Sequence, residues 1–197
     1  MLTADVAAFA LVDGELSTLL IRRRRDPFAG RWAFPGGFVD ENEPPEAAAR
    51  RELWEEAGVR VKSLELFGVY GDPGRDPRGW TVTASYMALL DSRATQASAG
   101  DDAAEVAWRP VARPPNLAFD HERMLADAWR ALRGMLYRTD LASVVLGEDA
   151  VEIWELERAY RRLDPAAPQG RRLVRLLLVN GVIERRGSST WAFRRPK

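Results

Sequence analysis

The stretch Gly37–Val59 constrains the fold more than any other part of the chain, because both ends of one helix can be recognised within it. Pro44 and Pro45 suit a first helical turn, where the missing N–H would have no helical partner in any case. Good helix formers follow, and Gly58 fits the left-handed position that ends a helix. The sequence therefore predicts a helix whose first turn contains Pro44 and Pro45 and which runs to Ala57.

The predicted helix carries Glu52, Glu55 and Glu56 on one side. Their spacing of three and four residues gathers the carboxylates on neighbouring turns. Carboxylates crowded in this way repel one another unless a cation lies among them. Oxygen ligands of this kind suit Mg²⁺ or Mn²⁺, which also bind substrate phosphates. A solvated acidic helix face is the alternative that the three glutamates alone leave open.

The wider pattern of this stretch resembles the signature box of the Nudix family. The matching positions are Gly37, Glu43, Arg51, Glu52, Leu53, Glu55, Glu56, Gly58 and Val59. Seven fixed identities and two aliphatic positions at set spacing form a specific signal. The resemblance implies an α+β fold, an α/β/α sandwich with a mixed sheet. It also implies metal-dependent hydrolysis of nucleoside diphosphates linked to another group.

The resemblance also implies roles for single residues. Glu52, Glu55 and Glu56 would bind the metal, with a backbone carbonyl of Gly36 or Gly37 nearby. The metal would neutralise the diphosphate and make a water nucleophile available near neutral pH.

Two more charged positions follow from the same comparison. Arg51 would pair with Glu43 and hold the helix against its loop. Glu105 lies on the late loop-to-strand segment where many family members supply a general base, and a surface carboxylate is the alternative for it.

Arginines and aromatic residues outside the box are candidates for substrate contacts. The candidates for phosphate contacts are Arg23, Arg24, Arg75 and Arg78. Trp32 and Phe34 are candidates for stacking on a base, with core packing as the alternative for Phe34. The only histidine, His121, is expected to be a cap or packing residue, because one histidine cannot build a metal site.

Hydrophobic patterning predicts the elements around the box. Ala4–Val12 and Glu15–Ile21 should form a hairpin through Asp13-Gly14, a favoured hairpin turn. Further strands are expected over residues 31–34, 61–70, 80–90 and 103–111, and an amphipathic helix over 119–136. No apolar run is long enough to span a membrane and no basic leader is visible, so a cytoplasmic protein is expected.

The chain changes character after Tyr137. A helix, a turn, a second helix and a short basic hairpin follow, which is the order of a winged helix-turn-helix. We therefore expect a first domain over residues 1–138 and a second over 139–197. From Arg158 onward eleven basic residues face two acidic ones, although the net charge of the chain is zero. This asymmetry suggests an anionic partner for the second domain.

This domain order resembles the Nudix-related transcriptional regulators of NAD metabolism, and residues 75–80 (RDPRGW) resemble the members that handle ADP-ribose. The resemblance implies a homodimeric regulator that binds double-stranded DNA and senses or hydrolyses an ADP-ribose-like ligand. The candidate DNA contacts are Arg171, Arg172, Arg175, Arg185 and Arg186. The alternative is a Nudix pyrophosphatase whose C-terminal module serves dimerisation or substrate capping.

Overall fold

The computed structural model describes residues 1–91, 103–146 and 150–194. Their contacts divide the chain into two compact units. The first unit contains Met1–Val12 and Leu16–Trp129, and the second contains Asp13–Glu15 and the residues from Arg130 onward. None of the helices in these ranges combines the length and the apolar character that crossing a membrane requires.

The first unit is built on a seven-stranded sheet. Its strands are β1 (Leu2–Val12), β2 (Glu15–Arg23), β3 (Trp32–Ala33), β4 (Gly36–Phe38), β5 (Glu65–Tyr70), β6 (Val82–Leu90) and β7 (Ala103–Pro110). Five of them follow the order β3-β2-β1-β6-β5, while β4 pairs with β1 and β7 with β2. Because β1 runs parallel to β6 and antiparallel to β4, the sheet is mixed, which confirms the prediction.

The turn between β1 and β2 is set by two residues with positive φ. Asp13 has φ 51° and Gly14 has φ 81°. Positive φ at both central positions matches the twist of the flanking strands, and Asp-Gly is a favoured pair for it. The predicted hairpin is therefore confirmed, and it fixes the start of the sheet.

Helix α1 (Pro45–Ala57) ends where predicted, while Pro44, expected in its first turn, is the extended N-cap residue. Gly58 is left-handed at φ 66°, and its N–H donates to the carbonyl of Trp54 at 2.8 Å. Leu53 is fully buried in the core cluster that also contains Ala4 and Val6 of β1. The four-residue period of small and apolar side chains thus holds one face of α1 against the sheet and leaves its glutamates at the edge.

Further helices follow the sheet: α2 (His121–Leu136), α3 (Ser143–Leu146), α4 (Ile153–Leu163) and α5 (Arg171–Val179). Three short strands, β8 (Val151–Glu152), β9 (Ile183–Arg185) and β10 (Thr190–Phe193), form a sheet in the order β8-β10-β9. The order of α4, turn, α5 and wing agrees with the expected winged helix-turn-helix. Three short elements, α3, β4 and β8, were not predicted, because two to four residues show no periodicity.

We expect Leu53→Ala to lower the free energy of unfolding by about 2–5 kcal/mol, because the fully buried side chain would leave a cavity under α1. Urea denaturation of the full chain measures the change. Leu66→Ala removes the same atoms from a side chain that is 57% exposed and serves as the control. Equal effects of the two substitutions would contradict the described packing of α1.

Candidate functional site

An open cavity lies in the first unit beside β4. Its walls come from β1, β4, the end of β2 and the segments around residues 76 and 120. The residues that line it are Thr3, Asp5, Arg23, Ala33, Phe34, Gly36, Gly37, Phe38, Arg75, Asp76, Arg78, Phe119 and His121. Six residues predicted to lie at the substrate or metal site are therefore brought together here: Arg23, Phe34, Gly36, Gly37, Arg75 and Arg78.

Two glycines let α1 and β1 approach β4 closely. A Cβ atom on Gly37 would overlap the carboxylate of Glu52, and one on Gly36 would overlap the carboxylate of Asp5. The N–H of Gly36 also donates to Oε2 of Glu56 at 2.9 Å. Only glycine leaves room for this arrangement. The carboxylates of Asp5, Glu52 and Glu56 therefore all lie beside β4.

Burial and mutual repulsion disfavour the charged form of these carboxylates. Burial raises the pKa of Glu56 to about 8, and the negative charges of Glu52 and Asp5 act in the same direction. The hydrogen bond from Gly36 opposes this shift. Burial also raises the pKa of Glu52. A cation placed among these side chains would favour their ionised forms.

Arg51 connects the box glutamates. Its Nε and Nη2 atoms donate to the two carboxylate oxygens of Glu43 at 3.0 and 2.9 Å. Its Nη1 atom donates to Glu52 at 2.7 Å and to Glu55 at 3.2 Å. The hydrogen bond from Arg51 lowers the pKa of Glu43. Arg51 therefore has the structural role expected from the sequence, and it also holds two of the candidate metal ligands.

The chemistry of this oxygen-rich donor set fits a divalent cation. Within residues 1–91, 103–146 and 150–194, however, no three acidic, histidine or cysteine side chains lie close enough to form a ready-made metal site. The contacts of Arg51 with Glu52 and Glu55 give the physical reason, because they draw these two carboxylates to a guanidinium. Binding a cation would require Glu52 and Glu55 to exchange that partner.

Two arginines face the cavity around the ring of Phe119. The guanidinium carbon of Arg23 lies 4.8 Å from the ring centroid, and that of Arg78 lies 5.6 Å from it. Burial lowers the pKa of Arg23, and the positive charge of Arg78 lowers it further. Asp76 balances Arg78 through an ion pair of 2.7 Å. Two neighbouring guanidinium groups, of which Arg23 is partly desolvated, have the chemistry that a phosphate group requires and are candidates for binding one.

Phe119 itself has an unusual backbone conformation. Its φ of 54° is an outlier for a bulky side chain. Such conformations persist only where the surroundings enforce them. Here the ring packs edge-on against Phe28 at 4.9 Å, in addition to its contacts with Arg23 and Arg78. Phe119 therefore keeps the two arginine side chains together at the cavity.

Arg75 lines the cavity but is already paired. It donates to both carboxylate oxygens of Asp120, at 3.0 and 2.7 Å, and its side chain is only 5% exposed. This bidentate pair links the loop before β6 to the start of α2. The Arg75–Asp120 pair therefore primarily stabilises the fold.

Three other predicted residues lie outside the cavity lining. Arg24 is exposed beyond the end of β2, and Trp32 lies under the guanidinium of Arg109 at 4.5 Å. Glu105 on β7 is 45% exposed and forms ion pairs with Arg22 at 3.6 Å and with Arg109 at 3.4 Å. These contacts agree with the alternative of a surface carboxylate for Glu105.

Seven lining residues had no binding role predicted from the sequence: Thr3, Asp5, Ala33, Phe38, Asp76, Phe119 and His121. A signal existed for Asp5, since it is the only charged residue in the otherwise apolar run of β1. Phe38 and Phe119 carry no such signal, because their exposure to the cavity depends on the pairing of β4 and on the loop before α2.

His121 is buried at the inner side of the cavity. Its Nδ1 atom accepts a hydrogen bond from the N–H of Phe34 at 3.0 Å, and its ring stacks on Phe34 at 5.2 Å. Burial lowers its pKa below the ordinary 6.5, with Arg75 and Arg23 acting in the same direction and Asp5 and Asp120 opposing it. The imidazole is therefore neutral in the folded chain near pH 7.

This shift makes stability depend on pH. Because the pKa of His121 is lower in the folded state, the unfolded chain binds the proton more readily, and the stabilisation present above pH 6.5 is lost as the pH falls towards the folded pKa. We expect His121→Gln to cost about 1–3 kcal/mol at about pH 7.5 and less at about pH 5.5. Denaturant titrations of both chains at the two pH values measure the difference. A cost that does not change with pH would contradict a neutral buried His121.

The second unit presents a separate basic surface on α5. Arg171, Arg172 and Arg175 are exposed, as predicted for DNA contacts. Arg172 and Arg175 line an open groove together with Leu176 and Val179, and the turn over residues 166–169 forms its other side. These four α5 positions share one helical face. The opposite face, with Leu173 and Leu177, is buried.

The two predicted arginines of the wing have partners within the wing. Arg185 donates to the carbonyls of Gly187 and Ser188 at 2.9 and 2.7 Å. Arg186 forms an ion pair of 2.6 Å with Glu184. The last two basic residues of the chain, Arg195 and Lys197, lie outside the described residues.

Comparison with known proteins agrees with both units. The NUDIX domain family profile matches residues 1–128. The ADP-ribose pyrophosphatase of Methanocaldococcus jannaschii is 41% identical over 129 residues, which cover 66% of this chain and 75% of that protein. The match to this enzyme therefore covers about two thirds of the chain.

Two other proteins match essentially the whole chain. The ADPR responsive transcriptional repressor NtrR of Acinetobacter baylyi is 33% identical over 199 residues, covering 100% of this chain and 79% of the repressor. The crystal structure of Shewanella oneidensis NrtR complexed with a 27mer DNA has a TM-score of 0.78 and 29% identity, covering 98% of this chain and 93% of that one. The likeness thus includes the winged unit.

Proposed function

Because this chain belongs to the Nudix family, we propose that its first unit binds and hydrolyses ADP-ribose-like nucleoside diphosphate derivatives. We further propose that a winged module over residues 139–197 binds double-stranded DNA, while residues 1–138 form the Nudix domain. The protein would act in the cytoplasm as a homodimeric, ADP-ribose-responsive transcriptional regulator of NAD metabolism. The full-length likeness to an ADPR responsive repressor supports this combination.

The observation that carries the enzymatic proposal is the pairing of opposite charges around one cavity. Arg23 and Arg78 would offer a phosphate site in the cavity, and the half-buried Glu56 lies beside Gly36, which lines the same cavity. A diphosphate bound at the arginines would thus lie next to a carboxylate with a raised pKa. A cation bound beside this carboxylate would favour its ionised form, and the same cation could contact the diphosphate.

Glu52, Glu55 and Glu56 would hold Mg²⁺ or Mn²⁺. When bound, the cation would neutralise diphosphate charge and lower the pKa of a water molecule, which makes a nucleophile available. The chain itself contributes the orientation of the phosphates through Arg23 and Arg78. Hydrolysis of the diphosphate bond of ADP-ribose would yield AMP and ribose 5-phosphate.

We expect Glu56→Gln to reduce Mg²⁺-dependent release of AMP from ADP-ribose by at least about 10²-fold. The glutamine can still accept the hydrogen bond from Gly36 and has the shape of the protonated acid, so the fold should remain. Chromatographic detection of AMP measures the rate, and circular dichroism checks the fold. Glu46→Gln, on the exposed side of the same helix, is the control. Unchanged turnover in the Glu56 variant would refute the assignment.

The DNA proposal rests on α5. Arg172 and Arg175 project into an open groove, and no ion pair to either arginine occurs among the described residues. Arginine side chains in this position can bind phosphates or pair bidentately with guanine. Leu176 and Val179 beside them can contact thymine methyl groups. The helix therefore combines cationic and apolar groups suited to a major groove.

We expect the double variant Arg172→Ala and Arg175→Ala to weaken binding to promoter DNA of NAD-metabolic genes by at least about thirtyfold. Gel shifts at several salt concentrations measure affinity, and addition of ADP-ribose should weaken the wild-type complex. The matched control removes two exposed arginines from α4, Arg158 and Arg161. If both double variants lost the same DNA affinity, the loss would reflect net charge alone and not a specific contact by α5. No binding of wild type to any such promoter would favour a pyrophosphatase whose second unit serves dimerisation or substrate capping.

A further inference from the structure

Two buried polar side chains face each other within the cavity. Asp5 on β1 is 8% exposed and His121 at the start of α2 is 3% exposed, and both line the cavity. Oδ1 of Asp5 lies 3.9 Å from Nε2 of His121. That separation is too long for a direct hydrogen bond. The proposed hydrolysis uses neither group.

The donor and acceptor roles of the pair follow from their other contacts. Nδ1 of His121 accepts the N–H of Phe34, so the single proton of the neutral ring is on Nε2. Oδ2 of Asp5 accepts the hydroxyl of Thr83 at 2.6 Å, and Thr83 is fully buried. The gap therefore has an N–H donor on one side and a carboxylate acceptor on the other.

A hydroxyl group fits this gap better than other ligand groups. Its oxygen can accept from Nε2–H and its proton can be donated to Oδ1, each over about 2.8 Å. A phosphate or carboxylate oxygen would be repelled by Asp5, and an ammonium group would meet the N–H of His121. Asp5 and His121 together thus select a group that both donates and accepts.

The same cavity contains the phosphate site formed by Arg23 and Arg78. A ligand that occupies both the phosphate site and the gap between Asp5 and His121 carries a phosphate and, next to it, a small hydroxylated group. The terminal sugar of a nucleoside diphosphate sugar has these properties. A nucleoside ribose is less suitable, since it would bring its purine into the same buried space.

We propose that Asp5 and His121 form a subsite for a hydroxyl of the terminal sugar, and that this subsite separates ADP-ribose-like ligands from plain nucleoside diphosphates. The inference rests on the proposed function of the first unit. Asp5 and His121 act in it as binding and specificity residues, and Thr83 orients the Asp5 carboxylate.

Binding of two probes tests the subsite. The α,β-methylene analogue of ADP-ribose resists hydrolysis, and α,β-methylene ADP lacks the terminal sugar. Calorimetry with Mg²⁺ should show that Asp5→Asn lowers affinity for the first probe by about tenfold to a hundredfold relative to the second. The ratio of the two affinities cancels any change in phosphate binding. Asp127→Asn removes a carboxylate that accepts a tyrosine hydroxyl outside the cavity lining, and it should leave the ratio unchanged.

The lone histidine provides a second measurement on the unmodified chain. A proton–nitrogen correlation spectrum of the imidazole should show Nε2 protonated and Nδ1 as an acceptor. The Nε2 proton signal should move downfield when the ADP-ribose analogue binds and stay in place with the ADP analogue. This readout does not depend on how well Asp5→Asn folds.

The outcomes separate the two proposals. If neither probe binds the wild-type chain, the proposed ligand class is wrong, and the subsite is wrong with it. If both probes bind but the affinity ratio is the same in Asp5→Asn, or the imidazole signal moves equally with both, only the subsite is refuted.

Discussion

The close approach of α1 and β1 to β4 is the constraint on which the first unit depends. It exists because Gly36 and Gly37 have no side chains, so the carboxylates of Asp5 and Glu52 occupy the space that Cβ atoms would need. The backbone N–H of Gly36 then reaches Glu56. A larger residue at either position would separate the acidic groups and reshape the cavity wall.

Crowding acidic groups has an energetic cost that the surroundings offset in two ways. Arg51 binds Glu43, Glu52 and Glu55 at the outer side of α1. Glu56, further in, has no such partner and receives one backbone hydrogen bond, which leaves its pKa raised by burial. Across the cavity Arg23 is in the opposite position, a desolvated cation beside another cation. The charges of Glu56, Asp76 and Asp5 act against the shift of Arg23, and Arg23 acts against the shift of Glu56, but burial outweighs both effects. A cation at the carboxylates and a diphosphate at the arginines would add to this compensation, so the cavity suits that class of ligand.

The sequence predicted the elements with strong local signals. Proline at the start and glycine at the end determined α1 to within one residue, and the Asp-Gly turn determined the first hairpin. The cavity was only partly predictable. Arg23 and Arg78 were candidates because they stand at the end of the hairpin strand and in the loop before β6, whereas Phe119 and His121 enter the cavity through long-range packing against Arg23 and Phe34. Glu105 was predicted at the site but lies outside the cavity lining, because the pairing of β7 with β2 places it opposite Arg22.

The ion pair between Arg186 and Glu184 in the wing affects how many counterions a bound duplex would release. Each phosphate that a protein cation neutralises releases condensed counterions, and this release makes DNA affinity fall with salt. Arg186 can contribute only by leaving Glu184, whose carboxylate would then lie near the phosphates. Arg186 would therefore add little to the entropy gained from counterions. On α5, by contrast, the cations stand beside apolar side chains and can combine charge with sequence selection.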